Sequence, residues 1–197
     1  MSLDSCAVPA GAPALHPALA MRFSPVLFDG SHHISQDEVD VLLAAAGRAP
    51  SAGNSQPWAF VVGRRGDSVH ARIVRHLAPS SARWAPAAAV LLVNLAHVTV
   101  QDAPELEYSE FSRYDLGQAV AHLSIQGLAM GLDAHQFRAF DRDGVATEFG
   151  VPEHWEVTSM IALGRAAHRA GELASPGTSR ERLAIADITW ARDHRTE

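Results

Sequence analysis

Neutral hydrogen-bonding side chains are concentrated between Arg48 and Trp58. Pro50 and Pro57 stiffen the two ends of this segment, because proline fixes φ and removes a backbone donor. Gly53 between them permits a positive φ or a close approach of the backbone to a ligand. The amides and hydroxyls belong to Ser51, Asn54, Ser55 and Gln56. Such a loop suits the edge of a flat heteroaromatic ligand, and it suits an ordinary polar connection between a helix and a strand equally well.

Arginines occur in two other segments that could bind an anion. Arg22 lies two residues before Ser24, and Arg180 and Arg182 point to the same side if their segment is extended. The guanidinium fork matches the oxygens of a phosphate monoester. Each arginine taken alone is more often a surface charge. Together with the amide-rich loop, these arginines predict a nucleotide-like ligand that carries one phosphate.

The sequence argues against several other chemistries. It contains no lysine, which excludes a Schiff-base lysine and a P-loop lysine. Its single cysteine, Cys6, excludes internal disulfides and thiolate metal clusters and fits a reducing compartment. The histidines show no zinc-binding spacing, and no motif of a serine hydrolase or of a Rossmann domain is present. We therefore assign no metal ligand and no catalytic acid or base.

The composition indicates one domain. The chain has 197 residues, of which 47% are hydrophobic, enough for one well-filled core. A net charge of -6 offers no basic field to nucleic acid or to an anionic membrane, and no apolar run reaches transmembrane length. Residues 1–20 are rich in alanine and proline and lack a basic start, so we expect a disordered tail and not a signal peptide. We expect a soluble cytoplasmic protein with its domain over residues 21–190 and a tail over 191–197.

Hydrophobic periodicity and capping residues predict alternating helices and strands. Ser35 and Glu38 form a capping box at the start of a helix that ends near Arg48. The apolar run Ala87–Leu95 predicts a strand buried on both faces, and an acidic loop is expected over Ala96–Tyr108. Further strands are predicted over Trp58–Val62, Leu132–Phe137 and Trp155–Leu163. Further helices are predicted from Asp67 or Ser68, from Asp115 to Met130 with Gly131 as the C′ residue, and from Asp141 to near Gly150.

Four segments, in order along the chain, resemble segments of the nitroreductase family of flavoproteins. The most specific is Ala49–Trp58; the others are Asp115–Leu123, Gly131–Ala134 followed by Phe140 and Asp141, and Ile161–Gly164. The resemblance runs from about Arg22 to Trp190. It implies an α+β, three-layer fold whose central, mostly antiparallel sheet is flanked by helices. It also implies an FMN-binding homodimer with the flavin at the interface and a C-terminal arm that extends to the partner.

The resemblance further implies cofactor-binding residues in four segments. Arg22, Phe23, Ser24 and Val26 correspond to the first phosphate-binding segment of the family. Pro50, Ser51, Asn54 and Gln56 fall in the loop that meets the edge of the isoalloxazine ring. Phe137, Arg138 and Ala139 fall where the backbone approaches flavin N5, and Arg180 and Arg182 fall where basic residues of the last segment bind phosphate.

The sequence also departs from the family at several of these positions. Phe23 and Val26 replace residues that are usually basic, which removes two contacts to the phosphate or the ribityl chain. Arg138 stands where related enzymes often have an acidic residue, and a cation there would stabilise the anionic reduced flavin. The stretch Ala96–Tyr108 is short compared with the helical excursion of the family, so we expect a more open pocket.

The activity implied by the resemblance is the reduction of a nitroaromatic, quinone or similar acceptor, with NAD(P)H as reductant in a ping-pong mechanism. Two alternatives remain open. One is an FMN-dependent dehydrogenase or oxidase of a biosynthetic pathway that does not use a nicotinamide. The other is a flavin-binding protein without catalytic activity. In each case the expected partners are a second copy of the chain and a small molecule, with no nucleic acid and no membrane.

Overall fold

The computed structural model describes residues 13–173 and 181–192 of the chain. Its helices are α1 (Pro17–Met21), α2 (Gln36–Ala46), α3 (Ser68–Val74), α4 (Ser112–Ala129) and α5 (Arg142–Phe149). Its strands are β1 (Trp58–Arg64), β2 (Val90–His97), β3 (Thr99–Val100), β4 (Ala103–Glu107), β5 (Asp133–Phe137) and β6 (Trp155–Gly164). Short 3-10 turns cover Ala52–Asn54, Ala85–Ala87 and Ile185–Ile188. No helix among the described residues is long and apolar enough to cross a lipid bilayer.

The central sheet has the strand order β1-β2-β6-β5, and each neighbouring pair is antiparallel. β1 and β5 are therefore its two edges. β1 pairs with β2 along its whole length, from Trp58 opposite Ala96 to Arg64 opposite Val90. The central strand β2 is buried on both faces over nearly its full length, as its continuous apolar sequence predicts.

Helices cover both faces of this sheet. Successive residues of β2 point to opposite faces, so Leu91 and Leu92 belong to two separate apolar clusters. The cluster under α2 and α4 includes Leu42, Leu116, Leu123 and Ile161. The cluster under α3 and α5 includes Ile73, Val145 and Met160. This arrangement confirms the predicted α+β fold with an antiparallel sheet between two helical layers.

The capping residues predicted from the sequence are confirmed. The Ser35 hydroxyl accepts a hydrogen bond from the Glu38 amide at 3.1 Å, and the Glu38 carboxylate accepts one from the Ser35 amide at 2.8 Å. Asp67 caps α3 and Asp141 caps α5. Gly131 follows α4 with a φ of 76°, the left-handed conformation that ends many helices.

The predicted acidic loop over Ala96–Tyr108 is wrong. β2 continues to His97, and β3 and β4 then form a hairpin in which Thr99 lies opposite Glu107. Proline and glutamate have low strand propensity, so β4 carries no local strand signal. The start of β2 also differs, because Pro86 lies in a 3-10 turn and the strand begins at Val90.

The N-terminal boundary of the folded part differs from the predicted one. The last four residues of the predicted tail of residues 1–20 instead belong to α1 (Pro17–Met21). Pro17 occupies the first turn of this helix, where a missing amide proton costs nothing. Residues 1–12 lie outside the described part of the chain, and so do residues 193–197. The helix predicted from Asp115 begins earlier, at Ser112.

Glu148 at the end of α5 ties that helix to α3. Its carboxylate accepts hydrogen bonds from Arg72 Nε at 2.7 Å and from Arg75 Nη2 at 2.9 Å, and His76 Nε2 lies 3.3 Å away. The hydrogen bonds from Arg72 and then Arg75 hold the pKa of the Glu148 carboxyl well below its ordinary value, at about 2. The folded chain therefore retains the carboxylate in a pH range in which the unfolded chain is already protonated.

We expect this carboxylate to make stability depend on pH in acid. The folded state binds fewer protons than the unfolded state between the ordinary glutamate pKa of 4.5 and about 2, so the contribution of Glu148 is complete above that range and is lost as the pH falls through it. Glu148→Gln should therefore flatten the fall of the melting temperature between pH 5 and about 2. Glu153→Gln, at an exposed position after α5, is the matched control. Parallel curves for wild type and Glu148→Gln would refute the prediction.

Candidate functional site

The loop between α2 and β1 has an unusual backbone conformation. Three of its residues have a positive φ: Gly53 at 58°, Asn54 at 56° and Gln56 at 48°. Such angles are uncommon outside glycine, and a loop keeps them only when its surroundings enforce them. Here the Gln56 amide donates to Ser51 Oγ at 3.0 Å, and Gln56 Nε2 donates to the Asn54 carbonyl oxygen at 3.3 Å. The loop is thus formed by its own contacts, and it leaves Asn54 exposed.

Two further side chains anchor this loop to the rest of the fold. Asp115 is 2% exposed, and its Oδ2 accepts a hydrogen bond from the Ala52 amide at 3.0 Å. Tyr108 donates its hydroxyl to the Ser55 carbonyl oxygen at 3.1 Å, and its ring stacks on His97 at 3.7 Å. The loop therefore contacts both the start of α4 and the end of the β3–β4 hairpin. A cavity of about 250 Å³ there is lined by Pro50, Ser51, Ala52, Phe111, Tyr114, Asp115 and Gln118.

The carboxylate of Asp115 should control how firmly the loop is held. Asp115→Ala removes the acceptor of the Ala52 amide, and hydrogen bonds to a charged group contribute about 1.5–3 kcal/mol. We expect a loss of that size in the free energy of unfolding, measured with urea, and faster hydrogen exchange at the Ala52 amide. Asp115→Asn keeps an acceptor oxygen and should lose less. Unchanged exchange at Ala52 in Asp115→Ala would show that the loop is held by other contacts.

A second group of predicted site residues lies around Trp84. The Trp84 ring stacks on His135 at 4.3 Å, stacks on Phe28 at 6.1 Å and meets Phe137 edge-on at 5.0 Å. Trp84 therefore brings the segment of residues 22–28 next to β5. Within that segment, Arg22 Nη1 donates to Ser24 Oγ at 3.4 Å, and both side chains are half-buried.

Phe23 and Val26, the two departures from the family pattern, serve the packing of this segment. Phe23 is 8% exposed and meets the His168 ring edge-on at 5.4 Å. The Val26 amide donates to His168 Nε2 at 3.1 Å. A ligand contact at Phe23 would have to come from its backbone, because its side chain is buried. Among the predicted site residues of this segment, only Arg22 and Ser24 have side chains that could bind an anion.

His135 was not singled out from the sequence, yet it contacts this segment directly. Its Nδ1 lies 2.7 Å from the Pro25 carbonyl oxygen, and that oxygen can only accept, so the imidazole donates. Burial lowers the pKa of His135, and the nearby positive charge of Arg22 lowers it further. His135 is therefore an uncharged donor at neutral pH. The contacts of Trp84, Tyr108 and Asp115 likewise join segments far apart in the sequence, so local sequence patterns do not indicate them.

The turn after β5 carries the third predicted group. Arg138 is exposed, and its carbonyl oxygen accepts the Phe140 amide at 3.0 Å. The Ala139 carbonyl oxygen accepts hydrogen bonds from the Ala78 amide at 3.1 Å and from Ser81 Oγ at 2.5 Å. The backbone of this turn is thus fixed from the protein side, and the Arg138 guanidinium faces solvent.

The fourth predicted group lies in the C-terminal segment. Arg180 lies outside the described residues. Arg182 is exposed and donates from Nη1 to the Glu181 carbonyl oxygen at 2.7 Å. The same segment carries large apolar side chains that are well exposed, namely Leu183 (65%), Ile188 (63%) and Trp190 (103%).

Within one chain, the loop and the Arg22 segment are far apart. Ala52 contacts Asp115 at the start of α4, whereas a cavity of about 400 Å³ beside Phe23 is lined by Leu128 and Ala129 at its end. Asp115 and Leu128 are thirteen residues apart on α4, and a rise of 1.5 Å per residue places them about 20 Å apart along the helix. The loop also precedes the edge strand β1, and β5 forms the opposite edge of the sheet. The segment of residues 22–28, which contains Arg22, and Phe137 both pack against Trp84. Both are therefore distant from the Pro50–Gln56 loop of the same chain.

A family model, a sequence relative and two solved structures show what the chain is similar to. The model of the nitroreductase family matches residues 19–83 and 64–165. An uncharacterized 15.4 kDa protein in the ask 5′ region of Mycolicibacterium smegmatis is 29% identical over 142 residues, which cover 66% of this chain and 93% of that protein. A solved oxidoreductase containing FMN superposes with a TM-score of 0.80 at 26% identity, covering 96% of both chains. An FMN complex from Exiguobacterium sibiricum 255-15 has the same fold, with a TM-score of 0.73 at 20% identity over 92% of this chain and 98% of that chain.

Proposed function

Because the chain belongs to the nitroreductase family, we propose that it is an FMN-dependent oxidoreductase that uses NAD(P)H to reduce a nitroaromatic, quinone or similar acceptor. The observation that carries this proposal is the Pro50–Gln56 loop, whose uncommon backbone is formed in advance and whose Asn54 amide is exposed. A rigid loop with neutral donors and acceptors suits the carbonyl and imide edge of a flavin, since little conformational entropy is lost on binding.

The donor set of the described residues fits FMN. Arg22 and Ser24 are joined by a hydrogen bond at 3.4 Å and supply a guanidinium and a hydroxyl for a phosphate. Asn54 supplies a neutral amide for the ring edge, and Arg138 places a positive charge at the turn after β5. Arg180 and Arg182 remain proposed phosphate ligands from the arm. The chain thus offers a chemically suitable group for the phosphate of FMN, for the edge of its ring and for its reacting centre.

We further infer that two copies of the chain build each site. The loop and the Arg22 segment lie at opposite ends of α4 in one chain, so the ring and the phosphate of one flavin would be held by different subunits. The exposed apolar side chains of the C-terminal segment support this arrangement, because a surface of that kind is usually covered by a partner. The proposed arm would carry Arg182 and Trp190 onto the second subunit.

The protein contributes binding, orientation and electrostatics to the proposed reaction. FMN, when bound, supplies hydride transfer from a nicotinamide to an acceptor. Asn54 would orient the ring edge, and Asp115 would hold the loop that carries Asn54. Arg22 and Ser24 would fix the phosphate and thereby the position of the ring. Reductant and acceptor would use the same open pocket in turn, which gives ping-pong kinetics, and solvent can supply the protons.

Arg138 is expected to raise the reduction potential of the bound flavin, since a cation stabilises the negative charge of the reduced form. Arg138→Glu should therefore lower the midpoint potential, measured by reductive titration against a reference dye. Arg64→Glu makes the same charge change at the end of β1 that is remote from the loop, and it should leave the potential nearly unchanged. A potential that does not fall in Arg138→Glu would show that this side chain does not act on the flavin.

A second candidate function is supported by the same departures from the family. With Phe23 and Val26 in place of basic residues and a cation at Arg138, the chain could oxidise a substrate of its own through FMN without a nicotinamide. A flavin-binding protein without catalytic activity would share these features.

Anaerobic reduction separates these functions. The purified yellow protein is mixed with NADH or NADPH, and the flavin absorbance near 450 nm is followed. Rapid bleaching, followed by reoxidation with a quinone or nitroaromatic, is the result expected for the proposed function. Bound flavin that neither nicotinamide reduces would favour the second candidate or the non-catalytic protein. A colourless protein that cannot be reconstituted with FMN would refute all three.

A further inference from the structure

Two histidines hold the segment of residues 22–28 from different parts of the chain. His135 on β5 donates from Nδ1 to the Pro25 carbonyl oxygen at 2.7 Å. His168, four residues after the end of β6, accepts a hydrogen bond on Nε2 from the Val26 amide at 3.1 Å. The two contacts are made by the backbone of consecutive residues, Pro25 and Val26, which directly follow Ser24. These two imidazoles therefore help to set where the proposed phosphate ligands stand.

The two contacts make opposite demands on protonation. A carbonyl oxygen accepts, so Nδ1 of His135 must carry a proton, and it does so in the charged as well as in this neutral form. A backbone amide donates, so Nε2 of His168 must be unprotonated. The proton of neutral His168 is then on Nδ1, which lies 3.0 Å from the Arg169 carbonyl oxygen. Only His168 loses its contact on protonation, because two N–H groups would then face each other.

We propose that His168 is a positioning residue of the phosphate-binding segment, and that protonation of its imidazole releases Val26 and weakens the binding of FMN. This inference rests on the proposed flavin site. His168 itself touches no ligand in this scheme. It acts through the backbone of residues 25 and 26, which connects directly to Ser24. Phe23, packed edge-on against the His168 ring at 5.4 Å, couples the same imidazole to Arg22.

Several charged groups lie on the elements packed around His168. Arg22 is on the segment that His168 holds, and Asp133 at the start of β5 accepts the Ala166 amide at 3.0 Å. Arg165, Arg169 and Glu172 lie on the same stretch as His168, and Glu172 accepts the Arg169 amide at 2.7 Å. The loss of an acceptor at Nε2 on protonation follows from the geometry of the Val26 contact alone.

The test compares three full-length proteins stripped of flavin: wild type, His168→Gln and His168→Ala. Glutamine offers an acceptor oxygen for the Val26 amide and does not titrate, whereas alanine offers none. The dissociation constant of FMN is measured by calorimetry at pH 8.0 and pH 5.5. The FMN phosphate itself titrates near pH 6, and this contribution is common to all three proteins. For each protein we take the ratio of the dissociation constants at pH 5.5 and pH 8.0. The difference in this ratio between wild type and the variants then reports the His168 imidazole alone.

We expect the affinity of wild type to fall on acidification by about threefold to tenfold more than that of His168→Gln, the effect of one hydrogen bond. His168→Ala should bind about threefold to tenfold more weakly than wild type at pH 8.0 and should follow the pH dependence of His168→Gln. Equal pH dependence in wild type and His168→Gln would overturn the inference. So would a relative gain of wild-type affinity in acid, which would show that the imidazolium attracts the phosphate directly.

A second measurement does not depend on the variants. The ¹⁵N resonances of the His168 ring at pH 8.0 should show a protonated Nδ1 and an unprotonated Nε2, and the opposite tautomer would overturn the inference. Absence of FMN binding to wild type at pH 8.0 would instead refute the proposed function. The two failures are therefore distinguishable.

Discussion

Arg22→Ala is expected to weaken the binding of FMN by roughly 10- to 150-fold, because a hydrogen bond to a charged group contributes about 1.5–3 kcal/mol. Arg22 is half-buried, and its guanidinium is already oriented by Ser24 at 3.4 Å, so little side-chain entropy remains to be lost on binding. Calorimetric titration of the flavin-free protein measures the effect. Arg22→Lys keeps the charge and loses the fork, and it should fall between wild type and Arg22→Ala. Unchanged affinity in Arg22→Ala would remove this segment from the site.

The same variant tests whether each site is shared between two subunits. Asn54→Gly removes the amide that we assign to the ring edge but tolerates the φ of 56° at this position. In a heterodimer of one Arg22→Ala subunit and one Asn54→Gly subunit, a shared site would be doubly defective on one side and intact on the other. We therefore expect one flavin of wild-type affinity per heterodimer. If every site lay within one chain, both sites of the heterodimer would be defective.

Gly63→Ala is expected to lower the free energy of unfolding by about 3 kcal/mol, at the upper end of the range for overpacked cores. Gly63 lies on β1 under α3, and a Cβ there would lie 2.6 Å from both the Cα and the amide nitrogen of His70. Those are backbone atoms, so strand or helix must move. For a domain of this size the loss corresponds to a fall of about 6–12 °C in melting temperature.

Gly117→Ala is the matched control for this substitution. Gly117 lies in α4, and a Cβ added there would meet no atom within 4 Å. Alanine is favoured over glycine inside a helix by about 0.5–1 kcal/mol, so the control should be slightly more stable than wild type. A melting temperature for Gly63→Ala equal to that of Gly117→Ala would show that α3 moves away from β1 without cost.

Local signals predicted many of the elements correctly. The Ser35–Glu38 capping box, the Asp141 cap and the Gly131 stop each act within a few residues, and the apolar run of β2 needs no partner to be recognised. The hairpin of β3 and β4 does not follow from local signals, because β3 is only two residues long and β4 is made largely of residues with low strand propensity. The stacking of Tyr108 on His97 stabilises this hairpin, and the sequence pattern does not predict that contact.

The candidate site divides in the same way. The polar composition of the Pro50–Gln56 loop and the positive φ permitted at Gly53 follow from residue types, whereas the left-handed conformations of Asn54 and Gln56 do not. The contact of His135 with Pro25 spans 110 residues, and that of His168 with Val26 spans 142. Residues so far apart leave no shared local pattern, so neither histidine could be identified from the sequence.

The sequence by itself determined most of the helices and the four strands of the central sheet, which family the chain resembles and which side-chain chemistry each predicted segment offers. It did so because capping, turn formation and amphipathic periodicity depend on neighbours only a few residues away. Only the tertiary structure decided that the loop and the Arg22 segment lie at opposite ends of α4, and that two imidazoles hold the backbone beside Ser24. Those positions are set by the packing of α4 against the sheet and by the antiparallel order β1-β2-β6-β5, which place segments distant in sequence side by side.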